Sequence, residues 1–345
     1  MTQPAKNSIK QGKYLQLIGE AKLISWLNKN YDLEIVTAKA LPQGVIGDCY
    51  VIEDSNHKKY FLKIHLTSVL NVDNPQGLET TLKLTSLFHD EGINSVPYPI
   101  KRRDGGLEGK FEKYSILITN YIDGHSPEIT KDVVIKVAEL IAKIHQINNN
   151  HTNLLTEPFD LSYANELKKY LFTLEKKENL NEQQQKLGDL LLSHQSQLNK
   201  DLNQLNELGN KVRQKANTLV VTHGDLIADN LIKDNIGNVF IVDWDWARLS
   251  PPERDLWFFM GEFGQDFIKT YKNHNPKQKI DLDNLSFYMY KRYIEDIVYW
   301  ANQILHENID EVQFQENLEG IAVCCLKAFQ NIEEKVENMK RIING

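Results

Sequence analysis

An α+β fold in two lobes, an antiparallel sheet followed by a mainly helical part, is expected from three features of the sequence. The 345 residues exceed the size at which one hydrophobic core stops growing. The first third reads as short apolar or alternating runs parted by Gly, Asp and Asn turns, whereas most of the rest places apolar residues at helical intervals. A break at Asp123-Gly124-His125-Ser126-Pro127 separates these patterns. Residues 1–122 are therefore expected to form one lobe and 123–345 the other.

Residues 14–30 carry apolar side chains at helical spacing and predict an amphipathic opening helix. Strands follow at Glu34–Leu41, Cys49–Glu53 and Tyr60–His65, with turn signals at Gly44, Gly47 and Asp54-Ser55-Asn56. The loop Gln43–Asp48 holds two glycines, Gly44 and Gly47, whose backbone N–H groups could approach phosphates closely. Lys63 sits among apolar residues in the third strand, where an ammonium is costly unless it meets an anion. Glu79, sixteen residues on in a helix starting near Pro75, is its expected partner; Leu78, Leu82 and Phe88 are expected to pack that helix on the sheet. A hairpin with Asp104-Gly105-Gly106 at its tip ends in the strand Lys113–Ile122, and Lys101-Arg102-Arg103 beside the tip read as a solvated edge. Thr119 and the backbone of Asn120 and Ile122, at the lobe boundary, suit the back and the edge of a nucleotide-base pocket in a cleft there.

Helices are predicted over Lys131–Ile147, Tyr163–Lys177, Asn181–Asn210, Arg254–Tyr271, Asn284–Leu305 and Glu311–Ile343. Leu187, Leu191, Leu198, Leu202 and Leu205 stripe the third of these, which reads as part of an intramolecular helical hairpin because the stripe covers too few heptads for a coiled coil.

Composition sets outer limits. Apolar residues make up 41%, charged 25% and aromatic 9%, the balance of an ordinary globular protein. Forty basic against forty-seven acidic residues give a formal charge of −7, which disfavours nucleic acid and favours cationic or neutral partners. Three cysteines, Cys49, Cys324 and Cys325, lack metal-ligand or disulfide-framework spacing, and no apolar run suits a signal peptide or a membrane span, so a cytoplasmic protein is expected. It is expected to be a monomer or a homodimer.

The chemistry concentrates in Val221–Leu256. His223, Asp225 and Asn230 form H-x-D-x-x-x-x-N, and Asp243 follows thirteen residues later at the end of an apolar run. Phosphoryl transfer from ATP needs a carboxylate near the attacking hydroxyl, with an amide oxygen and a second carboxylate holding Mg²⁺ on the phosphates. Strand Leu219–Thr222 and a return strand through the turn Asn235–Asn238 are expected to bring Asp225, Asn230 and Asp243 to one edge. With Lys63 upstream, the set reads as a kinase-type site.

H-G-D-x-x-x-x-N, then I-V-D-W, then Pro251-x-x-x-Asp255-Leu256 resembles the core signature of the aminoglycoside phosphotransferases, a kinase-like family related to choline, homoserine and methylthioribose kinases. Residues 241–264 and 293–300 resemble its spectinomycin phosphotransferase branch; the likeness runs from about Leu33 to Leu305 and is loose between His151 and Asn217. The resemblance implies a two-lobed protein-kinase-like fold and transfer from ATP, or GTP, with Mg²⁺, to a small-molecule hydroxyl. It implies Asp225 as base, Asn230 and Asp243 as metal ligands, Lys63 and Glu79 as the phosphate pair, and structural roles for His223 and Asp255. Asp243-Trp244-Asp245 replaces the Asp-Phe-Gly of protein kinases, and no activation loop precedes Pro251, which argues against protein substrates.

An amino-sugar or aminocyclitol acceptor carries ammonium groups, and Asp245, Glu262, Asp266, Glu295 and Asp296 are the candidate carboxylates for them, with Trp244 and Trp246 as candidate sugar-packing faces. A metabolic kinase for choline, ethanolamine, homoserine or a sugar is the alternative, and an inactive scaffold working through the leucine-striped hairpin is the third reading.

Overall fold

The computed structural model describes residues 13–41, 47–68 and 76–345, and these divide into two compact units. One joins the described residues up to Thr156 with Val220–Leu249; the other holds Glu157–Leu219 and Ser250–Gly345. The catalytic-motif segment thus belongs with the N-terminal sheet although some sixty residues of helix intervene in sequence.

The first unit opens with helices α1 (Lys13–Ile18) and α2 (Glu20–Asn30). They form two helices where the pattern predicts one, because Gly19 adopts φ 87°, a left-handed conformation that costs glycine little. Strands β1 (Ile35–Ala40), β2 (Asp48–Asp54) and β3 (Lys59–Leu66) form the expected meander. Helix α3 (Leu78–Asp90), strands β4 (Gly109–Phe111) and β5 (Tyr114–Asn120) follow, and the antiparallel sheet runs β1-β2-β3-β5-β4. β3 is central, so both its neighbours satisfy its backbone: Lys63 stands opposite Cys49 on β2 and Leu117 on β5. One sheet face packs on α2 through Leu23, Leu27, Ile52, Leu62, Ile64, Ile116 and Ile118, all essentially buried. Leu78 and Leu82 of α3 pack with Leu107, Leu117 and Phe61, as the sequence predicts. Phe88 turns elsewhere and meets Trp244 edge-on. At the hairpin tip Arg102 pairs with Asp104 and Arg103 with Asp32, so the basic patch is a neutralised surface edge.

After β6 (Gly124–His125) comes α4 (Lys131–Ile144), capped by Thr130, with His145 buried just past its end. The remaining strands of this unit differ from the expected pairing. Helices α5 (Ser162–Lys176), α6 (Glu182–Ser193) and α7 (Gln195–Gln214) of the second unit come first in sequence; then follow β7 (Val220–Thr222), β8 (Leu231–Asp234), β9 (Val239–Ile241) and β10 (Arg248–Ser250). The hairpin is β8–β9, joined on its other side by β6, whereas β7 pairs with β10. Its turn is held by Asp234, whose carboxylate accepts N–H groups of Ile236 and Asn238, and by Gly237 at φ 91°.

In the second unit the predicted helix 181–210 is two helices. Ser193 Oγ and His194 Nδ1 both bond to the Leu190 carbonyl, at 2.7 and 3.0 Å, and this local competition ends α6. The leucine stripe faces inward: Leu187, Leu191, Leu198 and Leu202 are fully buried and Leu205 nearly so, with α7 packed on α10 (Leu282–His306). That burial removes the surface on which the scaffold reading relied. Predicted helix 254–271 is likewise broken, into α8 (Glu253–Leu256) and α9 (Gly264–His274), around Gly261 and Gly264. Beyond α10, residues 311–343 form α11 (Glu311–Glu319), eight residues of wider π-helix from Gly320, and α12 (Ile332–Asn344). A Cβ at Gly320 would crowd the Trp300 ring at 3.0 Å. The three cysteines are free thiols, and among the described residues no helix is long and apolar enough to cross a membrane.

Glu253 is buried at the head of α8, where its carboxyl accepts the Asp281 N–H at 2.7 Å and the Asn284 amide at 3.3 Å. Burial pushes its pKa from 4.5 up to about 7. The unfolded carboxyl releases its proton near 4.5 and the folded one near 7, so stability is full below 4.5, falls as pH rises to 7 and levels off above. A shift of that size corresponds to roughly 3 kcal/mol at most. Denaturant titrations at pH 5, 6, 7 and 8 should show Glu253→Gln losing much less stability across this window than the parent; parallel profiles would contradict the assignment.

Candidate active site

Lys63 reaches its site from the centre of β3. The side chain is only 7% exposed, and its Nζ donates to Asp243 Oδ1 and to Asp245 Oδ2, both at 2.8 Å. Burial alone would push the ammonium's pKa down, but the two carboxylates outweigh it and hold the pKa above its ordinary value. The lysine is therefore charged at any working pH.

Asp243 lies two residues past β9 with φ 65°, a left-handed backbone uncommon outside glycine and asparagine. Such a conformation costs of order 1–3 kcal/mol and persists where the surroundings enforce it. Here the next residue supplies the anchor. Trp244 is buried, its Nε1–H donates to the Ile241 carbonyl at 3.0 Å, and its ring meets Phe88 and His223 edge-on at 4.7 and 4.6 Å. Trp244 is thus a core side chain rather than a sugar-packing face, while Trp246 is half-buried.

The loop carrying Asp225 is fixed from beneath by His223. Its Nε2–H donates to the Val242 carbonyl at 2.9 Å and its Nδ1 accepts the Asp225 N–H at 3.2 Å, which together define the tautomer. One fully buried ring thereby ties the Asp225 loop to the residue preceding Asp243. Asn230 completes the link: its amide NH₂ donates to the Asp225 carbonyl at 2.7 Å and to Asp225 Oδ2 at 2.9 Å, and its own carbonyl accepts the Val242 N–H at 2.9 Å. The motif spacing places Asp225, Asn230 and Asp243 on one framework, by side-chain and loop bonds as much as by the β8–β9 ladder.

Other sequence-predicted residues are placed as follows. Glu79 does not meet Lys63; among the described residues its carboxylate accepts the Leu107 and Glu108 N–H groups, at 3.3 and 2.9 Å, and pairs with Lys83. Lys63 takes Asp243 and Asp245 instead, because a buried ammonium needs anionic partners within hydrogen-bond reach and these two stand 2.8 Å from its Nζ. Asp245, expected among the acceptor-binding acids, is accordingly a partner of Lys63. Thr119 is buried at the end of β5 with its hydroxyl on the Asn120 carbonyl, the Asn120 N–H bonds the Tyr98 carbonyl, and Ile122 lies half-buried just beyond the strand. Gly47 has φ 88°; Gly44 falls outside the described residues.

Glu262, Asp266, Glu295 and Asp296 belong to the other unit. Glu295 pairs with Lys291, and Asp296 receives Arg292 at 2.8 and 2.9 Å, so both acids are engaged one helical turn away. Glu262 is exposed and Asp266 half-buried. Asp255 is fully buried in α8.

His65 was not singled out by the sequence pattern. Two residues past Lys63 on β3, it shares the lysine's side of the sheet. It is 1% exposed, neither ring nitrogen has a hydrogen-bond partner among the described residues, and burial followed by the Lys63 charge pushes its pKa down to about 3.

A sequence profile of the phosphotransferase enzyme family matches residues 37–276. No curated protein matches the sequence. Among solved structures, spectinomycin phosphotransferase APH(9)-Ia with ADP and spectinomycin superposes with a TM-score of 0.78 at 20% identity, over 94% of this chain and 98% of that one. A microcompartment-associated aminopropanol kinase gives 0.63 at 12% identity over 92% and 99%. Amicoumacin kinase hAmiN in complex with AMP-PNP, Ca²⁺ and Ami gives 0.60 at 12% identity over 90% and 95%. These likenesses establish the kinase-like fold.

His223→Phe should retain the volume of the ring but remove its bonds to the Val242 carbonyl and the Asp225 N–H. Denaturant titration is expected to show a loss of about 2–4 kcal/mol, and an unchanged midpoint would contradict the bridging role.

Proposed function

Because this chain belongs to the phosphotransferase enzyme family, we propose that it transfers the γ-phosphoryl group of ATP, taken with Mg²⁺, to a hydroxyl of a small molecule. The observation that carries this reading is the joining of Lys63, Asp225, Asn230 and Asp243 within one compact unit: Lys63 bonds Asp243, Asn230 bonds Asp225, and the Asn230 backbone carbonyl bonds Val242 beside Asp243.

The donor set suits a hard cation. Asn230 spends its NH₂ on Asp225, which leaves its side-chain carbonyl oxygen as a neutral ligand, and Asp243 keeps a half-exposed carboxylate. Asn230 and Asp243 would hold the metal, which when bound neutralises charge on the phosphates. Lys63 grips the phosphates by turning Nζ from its carboxylates to their oxygens. Gly47 covers them, and Thr119 with the backbone of Ile122 receives the base, since the Asn120 N–H and carbonyl are bonded to Tyr98 and Thr119. Glu79 acts at a distance, by securing the turn at Leu107-Glu108. Asp225 orients the acceptor hydroxyl and takes its proton late, since a loose transition state asks for positioning more than for a strong base. ATP is the donor, and GTP is a substitute to be measured.

The acceptor is an aminocyclitol or aminoglycoside such as spectinomycin, a reading supported by the spectinomycin-bound neighbour. A second reading, a metabolic amino-alcohol or sugar kinase, is favoured by one observation: Glu295 and Asp296 are already matched by Lys291 and Arg292, which lowers the demand for a polycation.

Two measurements test these statements. Asp225→Ala should lower turnover by about 100- to 10,000-fold while changing ADP affinity by no more than about threefold; residual turnover equal to the parent's would remove Asp225 from the chemistry. In an ATP-consumption screen over spectinomycin, aminoglycosides, choline, ethanolamine and homoserine, a response to an antibiotic together with raised resistance in a sensitive host supports the first reading. A response confined to the metabolites supports the second.

A further inference from the structure

His65 is buried beside the lysine pair with no stated task. Its Nε2 lies 3.7 Å from Asp245 Oδ2, the same oxygen that now receives Lys63 Nζ at 2.8 Å. Its Nδ1 faces Gly47 so closely that a Cβ added there would stand 2.9 Å away. The ring is thus set between a loop glycine at the phosphate end of β2 and a carboxylate that depends on Lys63.

That dependence creates a difficulty when a nucleotide arrives. Lysine has three N–H donors, and two of them are spent on Asp243 and Asp245. Gripping phosphate oxygens requires Nζ to turn away from at least one. Asp243 can do without it, since its side chain is 43% exposed and water can serve it. Asp245 is 16% exposed, and a carboxylate left there without a donor would oppose the change. His65 Nε2–H needs to approach by less than about 1 Å to reach hydrogen-bond distance.

We infer that His65 is a positioning residue: it takes over Asp245 when Lys63 turns from that carboxylate to the nucleotide phosphates, and so offsets the loss that binding would otherwise incur. The inference rests on the proposed nucleotide role of Lys63. In the free protein the ring's polar atoms make no hydrogen bond to a described residue. They act in the bound state.

This separates the role from a structural one. His65→Leu and His65→Met, which fill the space without a donor, should leave the melting temperature of the nucleotide-free protein unchanged or raise it. They should weaken binding of magnesium AMP-PNP, measured by calorimetry, by at least about tenfold, the usual consequence of losing a hydrogen bond to a charged group. His65→Gln, whose amide nitrogen reaches as Nε2 does, should return affinity to within about threefold of the parent. The apparent KM for ATP should rise more than kcat falls. Parent-like affinity in the Leu and Met variants, no recovery with Gln, or a fall in free-protein melting temperature that accompanies the loss of binding would each overturn the inference. Lys63→Met serves as the reference: if it too binds the analogue normally, the nucleotide reading of the site fails; if it loses binding while His65→Leu does not, the failure is confined to His65.

Discussion

A single buried ammonium organises the catalytic unit. Lys63 sits at the middle of the sheet's central strand, where solvation is largely lost, and its charge is tolerable because two carboxylates 180 and 182 residues later in sequence are brought to it. The β8–β9 hairpin and the turn after it exist, in effect, to deliver Asp243 and Asp245. That requirement accounts for features that look unrelated in isolation: the left-handed backbone at Asp243, the burial of Trp244 against Phe88 and His223, and the inclusion of Val220–Leu249 in the same unit as the N-terminal sheet.

On the proposed nucleotide role of Lys63, the same arrangement makes the resting site a competitor of its own ligand. A lysine already paired with two carboxylates gives up part of a charge-assisted network before it can hold a phosphate. Binding is therefore an exchange of partners, and its free energy depends on what becomes of the carboxylates left behind as well as on the new contacts. An exposed acid such as Asp243 is rehydrated, and a cation bound to the phosphates can satisfy it. An enclosed acid such as Asp245 must be served by the protein, which makes the neighbouring imidazole of His65 informative and directs attention to β3 beyond its lysine.

Much of this was legible in the sequence, and the failures have physical reasons. Asp225, Asn230 and Asp243 are close in sequence, so their spacing nearly dictates that they meet, and a lysine inside an apolar strand announces that an anion is near. Which carboxylate it chooses is a tertiary matter. Glu79 lies at a reasonable separation, but its orientation is taken by the Leu107 and Glu108 N–H groups, a long-range contact with the hairpin that no local pattern reports. The pairing of β7 with β10 rather than with the hairpin is non-local in the same way. Helix ends were missed where side chains compete with the backbone, as Ser193 and His194 do for the Leu190 carbonyl. His65 was hidden by its own strand: a histidine in an apolar run reads as packing, and what distinguishes it is the lack of partners in a place where the acid beside it has a borrowed one.

The acceptor side shows how a short-range rule revises a functional reading. Carboxylates at 295 and 296 follow basic residues at 291 and 292, the spacing at which helical side chains meet, and both pairs form. These pairs are half-buried, and ion pairs one helical turn apart are worth only a few tenths of a kcal/mol to stability, yet they matter for recognition. An ammonium group of a ligand must displace a lysine or arginine that is already tethered nearby at high effective concentration, so each such acid offers less net attraction than its formal charge suggests. Acids outside such pairs, like Glu262 exposed on the turn before α9, offer a cation more than the more numerous acids of α10 do. The count of carboxylates in a sequence therefore overstates the attraction for a polycation, and the surplus over helical neighbours is the quantity that distinguishes an aminoglycoside site from one for a singly charged amino alcohol.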